Sequence, residues 1–330
     1  MGILGDRIPS AQTLRRLLRD RGSDLLAELQ PLVARLARWL AEASAVDAEP
    51  AAAEEEAPWE ACAVDGKTVR ASFDTARGTP RTHIVSARLD CGQTAVPDKG
   101  NELTALRQLL PELELEGRVV SIDAAGCRKD IACTIAAAGG WYLLAVKDNE
   151  SRLHAHLQRD FAYLDRTSAV AHDRCQTVER AHGRTERRTC TIMGGAHGIL
   201  DEIDPDRRGT ALGCVVRVVA ERTVRGRTAR AVRYYITNLP VTTGAARMAD
   251  LVRGHWRVEN SLHWVLDDTF QEDRCRLRTG HAARNMAALR RIALNFLTLL
   301  QQYFWPNMSI RRLRKMVARN PARLEPIMAL

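Results

Sequence analysis

A chain of 330 residues, 45% of them hydrophobic, holds enough apolar side chains for one large domain or two ordinary ones and excludes wholesale disorder. No run nears the roughly 20 apolar residues that span a bilayer, and Asp6 and Arg7 interrupt the N-terminus before a signal segment forms, so a cytoplasmic protein without a membrane partner is expected. The formal charge of +9 is uneven: from Arg222 onward 20 Lys+Arg stand against 7 Asp+Glu, which points to a polyanionic partner or to a solvated arginine-rich surface.

In chain order, 11–42 reads as two amphipathic helices, with Leu14, Leu17, Leu18, Leu25, Leu26, Leu29, Leu32, Val33 and Leu36 at helical spacing. An Ala/Glu-rich stretch with Pro50 and Pro58 makes 43–60 a solvated linker. A short run at 61–64 then feeds Asp65-Gly66-Lys67, and 83–89 and 94–96 are strand-like. A helix follows at 101–115, a strand at 119–122 ending in Asp123, a helix at 128–138 stopped by Gly139-Gly140, and a strand at 142–146. The order β-β-β-α-β-α-β predicts an α/β, ribonuclease-H-like mixed sheet flanked by helices. Strand-like runs at 176–181, 187–192, 214–221 and 231–237 make 151–245 a β-rich insertion. Helices return at 246–266, 282–302 and 308–318. The catalytic domain is thus expected over 61–150 and 246–302, with a basic helical tail at 303–330. The eight cysteines form no Cys-x-x-Cys pair, so they are expected to be reduced, small, partly buried residues.

Two aspartates, Asp65 and Asp123, stand at strand ends, and Glu259 lies in a later helical segment. An aspartate at such a position is commonly a turn residue or a helix cap, and a helical glutamate is commonly a solvated charge. In the ribonuclease-H-like topology the first and fourth strands are neighbours. The three carboxylates would then converge as hard oxygen ligands for a pair of Mg²⁺ ions, with Mn²⁺ able to substitute. His255, Glu259 and His263 share one helical face, in an order that does not match the zinc-protease motif. Trp256 and Trp264 are expected to pack against the sheet. Asp267, Asp268, Glu272 and Asp273 are expected to form an acidic surface run, and the basic stretches 222–233 and 311–315 are candidates for tracking a DNA backbone.

Ala63-Val64-Asp65-Gly66-Lys67-Thr68-Val69-Arg70 resembles the first catalytic block of the H-repeat-associated insertion-sequence transposases, a branch of the DDE superfamily. The resemblance continues in Lys99-Gly100-Asn101-Glu102, Val119-Val120-Ser121-Ile122-Asp123-Ala124 and Gly139-Gly140-Trp141-Tyr142-Leu143-Leu144-Ala145-Val146-Lys147. It is densest in His255-Trp256-Arg257-Val258-Glu259-Asn260-Ser261-Leu262-His263-Trp264, followed by Phe270-Gln271-Glu272-Asp273. It implies a catalytic and metal-binding triad of Asp65, Asp123 and Glu259. DNA contacts are expected from Arg253, His255, Arg257 and Asn260, and Lys67 is either a solvated lysine or a phosphate contact. Two-metal, Mg²⁺-dependent DNA strand cleavage and strand transfer would act on double-stranded DNA, at inverted-repeat ends and target, by a homodimer that is nucleoid-associated when bound. The alternative is a transposase-derived DNA-binding protein without transposition activity. The superfamily's Tyr, Arg, Glu, Lys signature falls here on Val252, His255, Glu259 and Leu266, so only the glutamate matches. The family carries a longer helical region before the first aspartate, so 1–42 is expected to be a shortened remainder of it.

Overall fold

The computed structural model describes residues 11–20, 61–68, 83–87, 92–96, 102–167, 171–181, 183–194, 211–258 and 262–320. The expectations for 21–60, and for Glu259 and Asn260, lie outside them.

Among the described residues nine strands form one mixed sheet in the order β3-β2-β1-β4-β5-β9-β8-β7-β6. Strands β1 (Ala61–Thr68), β2 (His83–Ala87) and β3 (Gly92–Val96) make an antiparallel unit. On its other side β1 pairs in parallel with β4 (Val119–Ile122), which pairs in parallel with β5 (Trp141–Val146). This is the ribonuclease-H-like arrangement that the element order implies. Helices α2 (Glu102–Leu109) and α3 (Lys129–Ala137) provide the crossovers. The helix expected over 101–115 stops at Leu109 and tightens into a 3₁₀ turn, because Pro111 has no N–H and biases Leu110 away from α geometry. Gly139 ends α3 in a left-handed conformation, φ 72°.

The strands of the 151–245 segment continue this sheet. β6 (His172–Ala181), β7 (Arg184–Gly194), β8 (Cys214–Val224) and β9 (Arg227–Thr237) form an antiparallel meander, and β9 hydrogen-bonds to β5. Asn238 stitches the join: its Oδ1 accepts from the Tyr142 backbone N–H at 2.6 Å, and its Nδ2 donates to the Gly140 carbonyl at 3.1 Å. Ahead of the meander lies a helix absent from the sequence reading, α4 (Ser151–Thr167), which buries Leu153, Leu157, Phe161 and Leu164.

Each sheet face has its own core, set by strand alternation. Val64, Val120, Ile122, Tyr142, Leu144, Val215 and Ile236 face α2, α3 and α4. Val119, Leu143, Ala145, Ile192, Val216 and Tyr235 face α5 (Ala245–Val258), whose Met248, Leu251 and Val252 close that side. Beyond α5 come the short α6 (Trp264–Asp268), the long α7 (Ala282–Phe304) and the basic α8 (Ile310–Arg319), whose Leu313 is buried against Leu297 and Leu300 of α7. At the other end of α7, the Asn285 side chain donates to the Leu18 carbonyl of α1 (Ala11–Asp20) at 2.8 Å. None of the described helices is long and apolar enough to cross a membrane.

Candidate active site

The register of β1 against β4 decides the site. Ala61 pairs with Val119, Ala63 with Ser121 and Val64 with Ile122. Continued by one residue, that register sets Asp65 beside Asp123, about 4.8 Å apart at the spacing of neighbouring strands. Val119 belongs to the core under α5, and alternation puts Asp65, Ser121 and Asp123 on the same face. The pair therefore lies on the side that α5 covers, where parallel strands release their C-terminal ends.

Both carboxylates are fixed locally. Asp65 Oδ1 accepts from the Gly66 backbone N–H at 2.8 Å. Asp123 caps a single 3₁₀ turn, Ala124–Gly126, and its Oδ1 accepts from the Ala125 N–H at 3.0 Å. That turn is tight: a Cβ added at Gly126 would lie 2.3 Å from Ile122 Cγ2. The segment after β5 reaches across to it, with Asn149 Nδ2 donating to the Ala124 carbonyl at 2.6 Å.

Helix α5 and the turn after it bring in two imidazoles. His255 is buried, and its Nδ1 lies 3.0 Å from Ser121 Oγ, two residues before Asp123. Burial holds this imidazole below the usual histidine pKa. The Asp123 charge opposes that effect, and Lys147, at the end of β5, reinforces it. His263 Nδ1 lies 3.5 Å from Asp65 Oδ2, with the ring mostly enclosed. Each histidine thus meets one of the two strands that carry the aspartates.

Several expectations change. His255, expected as a DNA contact, is buried and engaged with Ser121. Arg253 spends its charge on Glu179 of β6 at 2.5 Å. Trp256 does pack, under Arg233, whose guanidinium carbon is 4.7 Å from the ring centroid. Trp264 is 60% exposed and does not pack against the sheet. The spacing from Trp256 to Trp264 crosses a wider π-type turn at 262–263, which rotates the face presented by later residues. Glu272 is not a surface charge: it is fully buried and accepts from Arg291 Nη1 of α7 at 2.7 Å. Lys67 lies on β1, and Arg257 on α5. Glu259 follows the last residue of α5 directly in sequence.

Ser121, Lys147, Asn149 and His263 were not chosen as site residues from sequence. Lys147 and Asn149 carried a signal in their place, just past the C-terminal end of a parallel strand. Ser121 carried none, since its partner is 134 residues away in the chain. As for a metal, two carboxylates at matched register on one sheet face offer the oxygen donors a hard divalent cation takes, so the residues present fit such an ion. Among the described residues no group of three or more potential metal ligands gathers, at the aspartate pair or elsewhere.

Fold and paired aspartates define a ribonuclease-H-like domain. The chain belongs to the family described as the transposase DDE domain, whose model matches residues 59–296. It is 37% identical over 245 residues to YbfL and equally to YhhI of Escherichia coli K12, the latter named as an H repeat-associated candidate transposase. Each of those alignments covers 72% of this chain and 63% of the relative. A third relative, YncI of Escherichia coli O157:H7, named as a candidate transposase, is 34% identical over 276 residues, 82% of this chain and 69% of its own length. The chain thus spans just under two thirds of YbfL and YhhI.

Proposed function

We propose that this chain is a metal-dependent DNA transposase that cleaves DNA strands at the ends of an insertion sequence and joins the freed 3′ ends to target DNA. The supporting observation is the shared register and shared face of Asp65 and Asp123 on adjacent parallel strands. Glu259, next in sequence to Val258, is the third carboxylate of the reading. When bound, a pair of divalent cations supplies Lewis-acid polarisation of the scissile phosphate and offsets charge on the leaving oxygen. The protein's own groups hold the ligands still. The Gly66 N–H and His263 orient Asp65, and the Ala125 N–H orients Asp123. His255 with Ser121, and Asn149 with Ala124, brace the end of β4 from two sides. Lys67, Arg257 and Asn260 are the candidates for phosphate contacts, and the partner is double-stranded DNA held by a homodimer.

The test is a strand-cleavage assay on DNA carrying the element's ends, with Mg²⁺ or Mn²⁺, comparing wild type with Asp123→Ala. Cleavage by the wild type that the variant abolishes is the expected result. Equal cleavage by both proteins overturns the triad. DNA binding without cleavage by either one favours a transposase-derived binder.

A further inference from the structure

The meander β6–β9 outruns the helices that cover the rest of the sheet. Residues 227–231 of β9 are exposed at every position, so neither face is covered there. Sequence alone marked the run 222–233 as basic, but alternation divides it between the two faces. Arg222 and Arg233 turn to the α5 side, where Glu186 and Trp256 receive them. Arg230 turns to the opposite side and joins arginines that no run in the sequence connects.

On that opposite side a groove of about 410 Å³ is lined by Arg174 of β6, Arg187 of β7, Arg217 of β8 and Arg230 of β9. Two carboxylates, Asp165 and Glu221, also line it, leaving a surplus of two positive charges. Arg217 is held by both oxygens of Asp165 at 2.7 Å, and Arg187 is 3.9 Å from Glu221. Arg174 and Arg230 close no ion pair among the described residues. The strand pairing aligns Arg187, Glu221 and Arg230 in one cross-strand row and Arg174, Thr191 and Arg217 in another.

From β6 to β9 the guanidinium groups are spread over three strand spacings, about 14 Å. A single small anion does not reach across that distance, whereas a polyanion with a charge every few ångströms does. The groove floor carries Gln176 and Thr189 and offers Val219 as its main apolar side chain, so it lacks the buried anchor that a protein partner needs. We propose that this outer groove binds the phosphodiester backbone of duplex DNA, on the sheet face opposite Asp65 and Asp123. The DNA class rests on the proposed function; the location does not. Because the sheet separates the two faces, the duplex held here is a flanking or second segment, distinct from the one at the carboxylates.

The experiment is DNA binding by the full chain over a series of salt concentrations, for wild type and Arg174→Ala/Arg230→Ala. Arg174 and Arg230 are exposed, and equal melting temperatures confirm that the double variant folds. The double variant should bind less tightly, to a similar extent on unrelated sequences, and its slope of log K against log salt should fall by about two. If the wild type binds and the double variant matches it in affinity and slope, the groove is overturned and the proposed function stands. A wild type that binds no DNA overturns both. A charge-reversed Arg174→Glu/Arg230→Glu protein that still binds like wild type also overturns the groove.

Discussion

His255 illustrates how tertiary context sets a residue's chemistry. Its imidazole sits below the ordinary histidine pKa because burial penalises the charged form. The folded-state value therefore lies under the unfolded one. Above about pH 6.5 both states are neutral and the residue adds no pH dependence. As pH falls below that, the unfolded chain takes up the proton first, so native stability drops until the folded pKa is passed. Urea unfolding of wild type at pH 7.5 and pH 5.5 should show a larger loss than the same pair of measurements on His255→Gln. An equal loss in the two proteins would mean that the ring is not held neutral by its surroundings. Ser121, Asp123 and Lys147 are the groups facing it that enter this balance.

At the scale of elements, α7 is tied down by a buried charge pair. Glu272 and Arg291 are almost fully enclosed, at 0% and 4% side-chain exposure. Removing one member leaves the other charge buried, so Glu272→Ala should cost about 3–5 kcal/mol in denaturant unfolding. Replacing both by apolar residues of similar volume should restore most of that loss, and failure to restore it would show that the pair does more than neutralise itself. Glu272 looked like part of an acidic surface run because sequence shows only its acidic neighbours, while its partner lies 19 positions away on another helix. Helix α4 was legible in principle, with Leu153, Leu157, Phe161 and Leu164 at helical spacing. Its polar residues and the strands around it drew the reading to β structure. The central stretches of β1, β4 and β5 are legible in the sequence because short apolar runs bounded by turn residues leave few alternatives.

Across the whole molecule, the paired aspartates place like charges side by side, which destabilises the metal-free protein. Asp65→Asn/Asp123→Asn should therefore melt at a higher temperature than wild type in the presence of a chelator. Added Mg²⁺ should raise the wild-type melting temperature and leave the double variant unmoved, since only a ligand that prefers the native state stabilises it, by about 2.7 kcal/mol at a hundredfold excess over its dissociation constant. A double variant that responds to Mg²⁺ as the wild type does would place the ion elsewhere. The meander extends the same sheet through the β5–β9 ladder, so its DNA-facing groove and the aspartate pair belong to one continuous scaffold.

By itself the amino-acid order determines the strand–helix succession, the aspartates at two strand ends and the block similarity to the transposases, because these depend on local periodicity and short motifs. Tertiary structure alone decides that Asp65 and Asp123 share a register and that His255 and His263 meet their two strands. It also decides that β9 joins β5 and that the arginines of four strands divide between opposite faces. Those outcomes are pairings between distant segments. Period-two alternation says that a side chain faces one side of a sheet, but only packing against the helices says which side that is.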